Sequence, residues 1–172
     1  MAASVAIRQL AEGDALETLT ALLHRAYASL GARGLNYTAV DQSVEETARR
    51  IAQGVCAVAT LDSVLVGTVL ARGGPNLRST SRWYQQPNVA SAGQLAVDPA
   101  YQGRGIGSSL VAWAEQWAKS RGYAEIAVDT AEPADHLKRF YTARGYRFVE
   151  IVQWQGKRYR SVVLSKSLME AP

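Results

Sequence analysis

The chain has a single cysteine among its 172 residues, Cys56, so it can form no internal disulfide. With only two histidines beside it, no Cys/His cluster has the spacing of a metal site, and no metal is expected. Cys56 sits in an alternating apolar run, where it reads as a small buried hydrophobe. A reducing cytoplasm is therefore the expected compartment. No apolar run reaches the length of a membrane span, and the opening MAASVAIRQL lacks the charged-then-apolar order of a secretion signal. No membrane partner is expected. The net charge of +4 is mild and comes without a zinc-finger, helix-turn-helix or RNA-binding signature, so nucleic acid is not expected as a partner either. A polyanionic small ligand would account for local positive charge equally well. Internal repeats, low-complexity tracts and linkers are also absent, and the length suits one domain over residues 1–172.

What is present is a regular alternation of apolar patterns. Val5 and Ile7 begin a first strand. Asp14 to Glu17 reads as a capping box opening a helix to about Leu30, with Leu16, Leu19, Leu22 and Leu23 at helical spacing. Ser43 to Glu46 is a second box, followed by a helix ending before Gly54. Two Val-rich strands, 55–61 and 64–72, flank the two-residue turn Asp62-Ser63 and read as an antiparallel hairpin. Residues 73–88 lose all periodicity, and a loop this long inside a compact domain is usually functional or disordered. A strand at 89–97, a helix to about Ser120 and a strand at 124–128 follow. Glu132-Pro133 is predicted to open the last helix, closed by Gly145, and two strands, 146–154 and 158–166, finish the chain. The order β-α-α-β-β-β-α-β-α-β-β is that of a mixed α/β (α+β) domain. Its sheet is mostly antiparallel, with one parallel crossover.

The crossover carries the most specific stretch, Gln94 to Leu110. An apolar strand end (Leu95, Ala96, Val97) meets Asp98-Pro99 and then the turn Gln102-Gly103-Arg104-Gly105-Ile106-Gly107, which leads into a helix at Ser108. Alternate glycines keep Cβ atoms away, so backbone N–H groups point into one concavity. The helix start adds further N–H groups and the positive end of its dipole. Such a site binds phosphate oxygens. The spacing is neither that of a P-loop nor G-x-G-x-x-G.

On Gln102, Gly105 and Gly107 the turn resembles the [QR]-x-x-G-x-[GA] acetyl-CoA signature of the GNAT family of N-acetyltransferases. The preceding Leu95 to Tyr101 and the element order resemble that family too, over nearly the whole chain. The resemblance implies a GNAT-like sheet and acetyl-CoA as cosubstrate. It implies CoA contacts from Leu95, Ala96, Val97, Gln102, Gly103, Arg104, Gly105, Ile106, Gly107 and Ser108, in a cleft where the strand ending at Val97 parts from the strand ending at Val128. Phe140-Tyr141 to Tyr146 is similar to the family's [FL]-Y-x-x-x-G-[FY] segment. It makes Tyr141 the group that protonates the leaving thiolate once an amine has attacked the thioester, or else an amphipathic core residue. The backbone of Leu95–Val97 would supply the oxyanion donor. The family's asparagine seven residues before the tyrosine is Ala134 here, so its contact falls to Asp129, Thr130 or Asp135, or is missing. No general base stands out: Asp98, Glu132, Asp129 and His136 are the carboxylates and histidine within reach in sequence.

The acceptor is the least specified part. Residues 73–88 carry Arg78, Arg82, Trp83 and Tyr84 and no Asp or Glu, and Tyr37 is the sizeable aromatic group of the loop 31–42. These five are the candidate acceptor-binding residues. Arginines pair with carboxylates, and the aromatics offer a stacking surface; alternatively the loop is merely solvated. An amine-bearing small molecule, in particular one like an amino acid, is the expected partner. A protein N-terminus or lysine, or a CoA-binding regulatory role without turnover, are the alternatives. A homodimer is left open.

Overall fold

The computed structural model describes residues 4–170. The elements run β1 (Ala6–Gln9), α1 (Leu16–Ala32), α2 (Val44–Ile51), β2 (Val55–Leu61), β3 (Val64–Arg72), β4 (Val89–Val97), α3 (Ile106–Ser120), β5 (Glu125–Ala131), α4 (Asp135–Thr142), β6 (Arg147–Val152) and β7 (Ser161–Ser167). The seven strands have the order β1-β2-β3-β4-β5-β7-β6. β1/β2, β2/β3, β5/β7 and β6/β7 are antiparallel, whereas β4 and β5, joined through α3, are parallel. This is the mixed, mostly antiparallel α/β architecture that the element pattern predicts. Among the described residues, no helix is long and apolar enough to cross a membrane.

The chain forms two units. One takes in β1 to β3, α1, α2 and the stretch Gln94–Ala114. Leu19, Leu22 and Leu23 of α1 pack there with Val58, Leu70 and Ala96 around Cys56. Cys56 is buried, and burial pushes its thiol up, so it is the inert hydrophobe expected. Gly67 on β3 marks where the start of α3 comes closest. A Cβ there would lie 2.9 Å from Leu110 and 3.1 Å from the Ala96 carbonyl oxygen. Glycine at this position seats the first turn of α3 directly against β3 and the end of β4.

The other unit takes in Arg72–Gly93 and the chain from Glu115 onward. Its core is Val89, Ala127, Val152 and Val163, with Trp83, Tyr84, Val149 and Trp154 packed against it. The parallel ladder between β4 and β5 covers three pairs, Val89–Ser91 with Glu125–Ala127.

Local chemistry explains most boundaries. Asp62 and Ser63 both take positive φ, 48° and 68°, the conformation of a type I′ hairpin turn. Ser43 Oγ accepts from the Glu46 amide at 3.1 Å and caps α2.

Several boundaries differ from the pattern, among them the start of α3 at Ile106 instead of Ser108. Asp14 does not cap α1, whose N-cap is Ala15 without a side-chain bond. Its carboxylate instead accepts twice from Arg8, at 2.7 and 2.8 Å, and from the Ala11 amide. Two guanidinium bonds and the Ala11 amide thus occupy the carboxylate that a cap would need. The last helix opens at Asp135 rather than at Pro133, because β5 runs on to Ala131 and Glu132 is tied to Arg160 by its amide and its carboxylate. β6 stops at Val152 and β7 starts at Ser161. Trp154 therefore lies in the connecting loop, where the Gln153 amide donates to the carbonyls of Trp154, Lys157 and Tyr159.

Candidate active site

The glycine turn is open. Gly103 and Gly105 have φ of +77° and +79°, which side-chain-bearing residues rarely adopt, and a Cβ on either would meet nothing within 4 Å. Gly105 immediately precedes α3 and has no side chain with which to cap it. The first intrahelical-type bond there runs from the Ser109 amide to the Gly105 carbonyl at 3.0 Å. Ile106, the first residue of α3, is buried, while the space beside Gly103 and Gly105 is open. Arg104 lies over the Tyr101 ring at 5.3 Å. A polyphosphate fits such a cradle through backbone N–H groups and the helix dipole.

The strand end before the turn is distorted. Gln94 takes φ of 49° although it is not glycine, and its side chain is buried. Its Oε1 accepts from Gln42 Nε2 at 3.0 Å. Beyond it, the Leu95 carbonyl accepts from the Tyr27 hydroxyl at 2.9 Å, the Val97 carbonyl from Gln102 Nε2 at 3.4 Å, and the Asp98 amide donates to Val66 at 2.8 Å. The carbonyls of Leu95 and Val97 thus each accept from a side chain. Tyr37 packs its ring against Tyr27, 5.5 Å between centroids.

Tyr141 lies on α4, buried at 7% exposure, with edge-on contacts to Phe140 and Tyr146. Burial pushes the Tyr146 phenol up, and Glu115, which accepts from it at 3.1 Å, adds to the shift. Ala134, at the asparagine position, is fully buried at the N-cap of α4.

Residues 73–88 are folded against their own unit. Ser81 Oγ donates to Glu150 Oε1, the Trp83 amide donates to the same oxygen, and Tyr84 Oη donates to Asp129 Oδ1 at 2.8 Å. Trp83 and Tyr84 are therefore occupied in packing. Arg78 and Arg82 are exposed.

The base candidates sort by partner. Asp98 caps the turn Pro99–Tyr101 through the Ala100 amide and pairs with Arg25; the amide bond, then the guanidinium, holds its carboxyl low. Glu132 pairs with Arg160, and His136 is exposed on α4. Asp129 is exposed at the end of β5 and accepts from Trp154 Nε1 as well as from Tyr84. The Trp154 contact has no sequence signature, because a strand and a hairpin loop meet there. Among the described residues no group of three or more His, Cys, Asp or Glu could hold a metal.

The model of the acetyltransferase (GNAT) family matches residues 17–146, three quarters of the chain. The chain belongs to the GNAT family. A GNAT protein is an acyltransferase, so acetyl transfer in general is its activity. The matched range includes the glycine turn, β4 and Tyr141. Over 163 residues the chain is 28% identical to the S-(2-succino)cysteine N-acetyltransferase of Bacillus subtilis, covering 91% of this GNAT chain and 92% of that one. Among solved structures it superposes on the ribosomal-protein-S18-alanine N-acetyltransferase of Escherichia coli with a TM-score of 0.73 at 16% identity, covering 98% and 97% of the two chains. The PaiA N-acetyltransferase of Thermoplasma acidophilum, solved with coenzyme A, gives 0.71 at 21% identity, covering 95% and 99%. These two share the GNAT fold.

Of the residues singled out in the sequence, one unit holds Tyr37, Leu95–Val97 and the turn Gln102–Ser108. The other holds Arg78, Arg82, Trp83, Tyr84 and Tyr141.

Proposed function

We propose that residues 1–172 work as one cytoplasmic acetyl-CoA-dependent N-acetyltransferase domain whose acceptor is a small, amino-acid-like amine. The open cradle at Gly103–Gly107 carries the reading. Gly103 and Gly105 leave room for a pyrophosphate, and the amides at the start of α3 would supply donors. Leu95, Ala96 and Val97 would hold the pantetheine amides by main-chain bonds, as an added strand is held. Gln102 and Tyr27 now use the carbonyls of Val97 and Leu95. A carbonyl has two lone pairs, so Tyr27 need not leave.

Bound acetyl-CoA supplies an activated thioester. The neutral amine attacks its carbonyl carbon, the C–N bond forms and the C–S bond breaks. Tyr141 gives a proton to the departing thiolate, the amine's surplus proton goes to solvent, and the phenol is then reprotonated. The contacts of Tyr141 with Phe140 and Tyr146 fix its ring, which suits a positioned donor.

Arg78 and Arg82 support an acceptor that bears carboxylate. Both are exposed on a loop that Ser81, Trp83 and Tyr84 anchor from the other side. The substrate in that relative's name, S-(2-succino)cysteine, is an amino acid of that class. A thiol-release assay comparing carboxylate-bearing with neutral primary amines tests this. Preference for the carboxylate-bearing set is expected; equal rates would overturn the acceptor class.

A further inference from the structure

Asp129 occupies the fifth position of β5, on the same face as Ala127, and its side chain is exposed. Two side chains from different loops converge on it. Tyr84 Oη donates to Oδ1 at 2.8 Å, and Trp154 Nε1 donates to Oδ2 at 3.0 Å. The two rings lie nearly parallel, 9° apart with centroids at 6.1 Å.

Each is held from behind. The Tyr84 amide donates to Ser81 Oγ, which is itself bound to Glu150. The Gln153 amide pins the loop that presents Trp154. Strand pairing does not need this arrangement, since Asp129 already has its place opposite Val163 in the β5–β7 ladder. Ordering two aromatic side chains around an exposed carboxylate costs entropy, and it fixes the direction of the charge. Both of these donors are neutral, and each orients one oxygen of the carboxylate. Burial, and then the Asp129 charge, pushes the Tyr84 phenol well up, so it remains a donor.

We propose that Asp129, held by Tyr84 and Trp154, is the subsite that receives the ammonium group of the acceptor. The inference rests on the acetyl-transfer reading. It completes the zwitterion of an amino-acid-like acceptor: exposed arginines for carboxylate, Asp129 for ammonium. Arg82 lies two residues from Tyr84 on the same anchored loop. Tyr141 belongs to the same unit, and its ionisation would be felt by Tyr84. In this scheme Asp129 binds and orients; the proton lost before attack goes to solvent.

The test is a titration of the full chain with benzylamine and with benzyl alcohol, its uncharged counterpart, followed through the Trp154 indole N–H resonance. Benzylamine is expected to shift that resonance saturably and benzyl alcohol not. Asp129→Asn should weaken benzylamine by about tenfold or more, the scale of a lost charged hydrogen bond. Tyr84→Phe and Trp154→Phe keep the charge and release one oxygen each. Followed by calorimetry, each should weaken benzylamine several-fold, which keeps the proposal testable if Asp129→Asn fails to fold. Equal affinity of the wild type and these variants, or no benzylamine binding by the wild type, overturns the assignment. Acetyl-CoA affinity is measured on the same samples and should be unchanged by Asp129→Asn. A chain that binds benzylamine through Asp129 but binds no acetyl-CoA would overturn the acetyl-transfer reading and leave the ammonium site standing.

Discussion

Gln42 and Gln94 stand 52 residues apart in sequence, yet the side-chain amide of one donates to the side-chain carbonyl of the other at 3.0 Å, both buried. Gln94 holds a left-handed backbone that glycine would adopt more easily, immediately before the strand end proposed to meet CoA. Gln42 also donates to Thr47 and accepts from Arg50. Gln42→Leu would leave Gln94 Oε1 without its donor, so we expect a loss of about 1–3 kcal/mol from unpaired buried groups. Urea unfolding would measure it. A stability equal to the wild type would show that the pair does not hold the distorted strand.

At the glycine turn the main expected effect of a charged side chain is on binding. Gly105→Ala puts a methyl into open space at φ of +79°. The backbone strain should cost about 1–2 kcal/mol. Gly105→Asp adds a negative charge where the pyrophosphate would lie, and should abolish acetyl-CoA binding in a chain that still melts cooperatively. Calorimetry would check both, and an unchanged dissociation constant for Gly105→Asp would remove the cradle from the account.

Tyr141→Phe removes one hydroxyl from a buried ring. The value of kcat should fall about 100- to 10,000-fold, the range for loss of a general acid, with acetyl-CoA affinity unaltered. Unchanged kcat would make Tyr141 a packing residue.

How far the sequence discloses this molecule depends on the range of the interactions involved. The bounds of β2, β3 and β4 follow from apolar alternation and a two-residue turn. The end of α3 at Ser120 follows from helical spacing and the stop at Gly122, so these elements are legible. The backbone of the glycine turn is legible for the same reason: the glycines that take positive φ, Gly103 and Gly105, lie within six consecutive residues. Asp14 misleads because its partner, Arg8, competes with the cap and lies outside the motif. Trp83 and Tyr84 read as a free stacking surface in sequence, but the cluster of Val89, Ala127 and Val152 that takes them comes from three separate strands. The Gln94 distortion and the Trp154–Asp129 bond leave no local pattern at all, because each is set by a partner from a distant element.

Acid stability should report the Arg8–Asp14 pair. The two Arg8 bonds and the Ala11 amide hold the Asp14 carboxyl at about 2, below its ordinary value. A lowered folded value stabilises the chain above the unfolded pKa of about 4, and that contribution is lost as pH falls toward about 2. Asp14→Asn should therefore narrow the drop in melting temperature between those pH values. An identical pH profile in the variant would contradict the link.

Replacing Arg78 and Arg82 together with alanine should raise KM for carboxylate-bearing amines and leave KM for acetyl-CoA alone. Steady-state kinetics with each substrate varied in turn would decide it, and an unaltered amine KM would return the loop to a solvated role.

The central claim is that acetyl moves from acetyl-CoA to an amine on this chain. Its most direct measurement follows free thiol and product mass together, with acetyl-CoA present and a panel of primary amines added one at a time. The account predicts amine-dependent thiol release matched mole for mole by a product heavier by one acetyl group. Tight acetyl-CoA binding without thiol release on any amine would contradict it and make the protein a CoA-binding module.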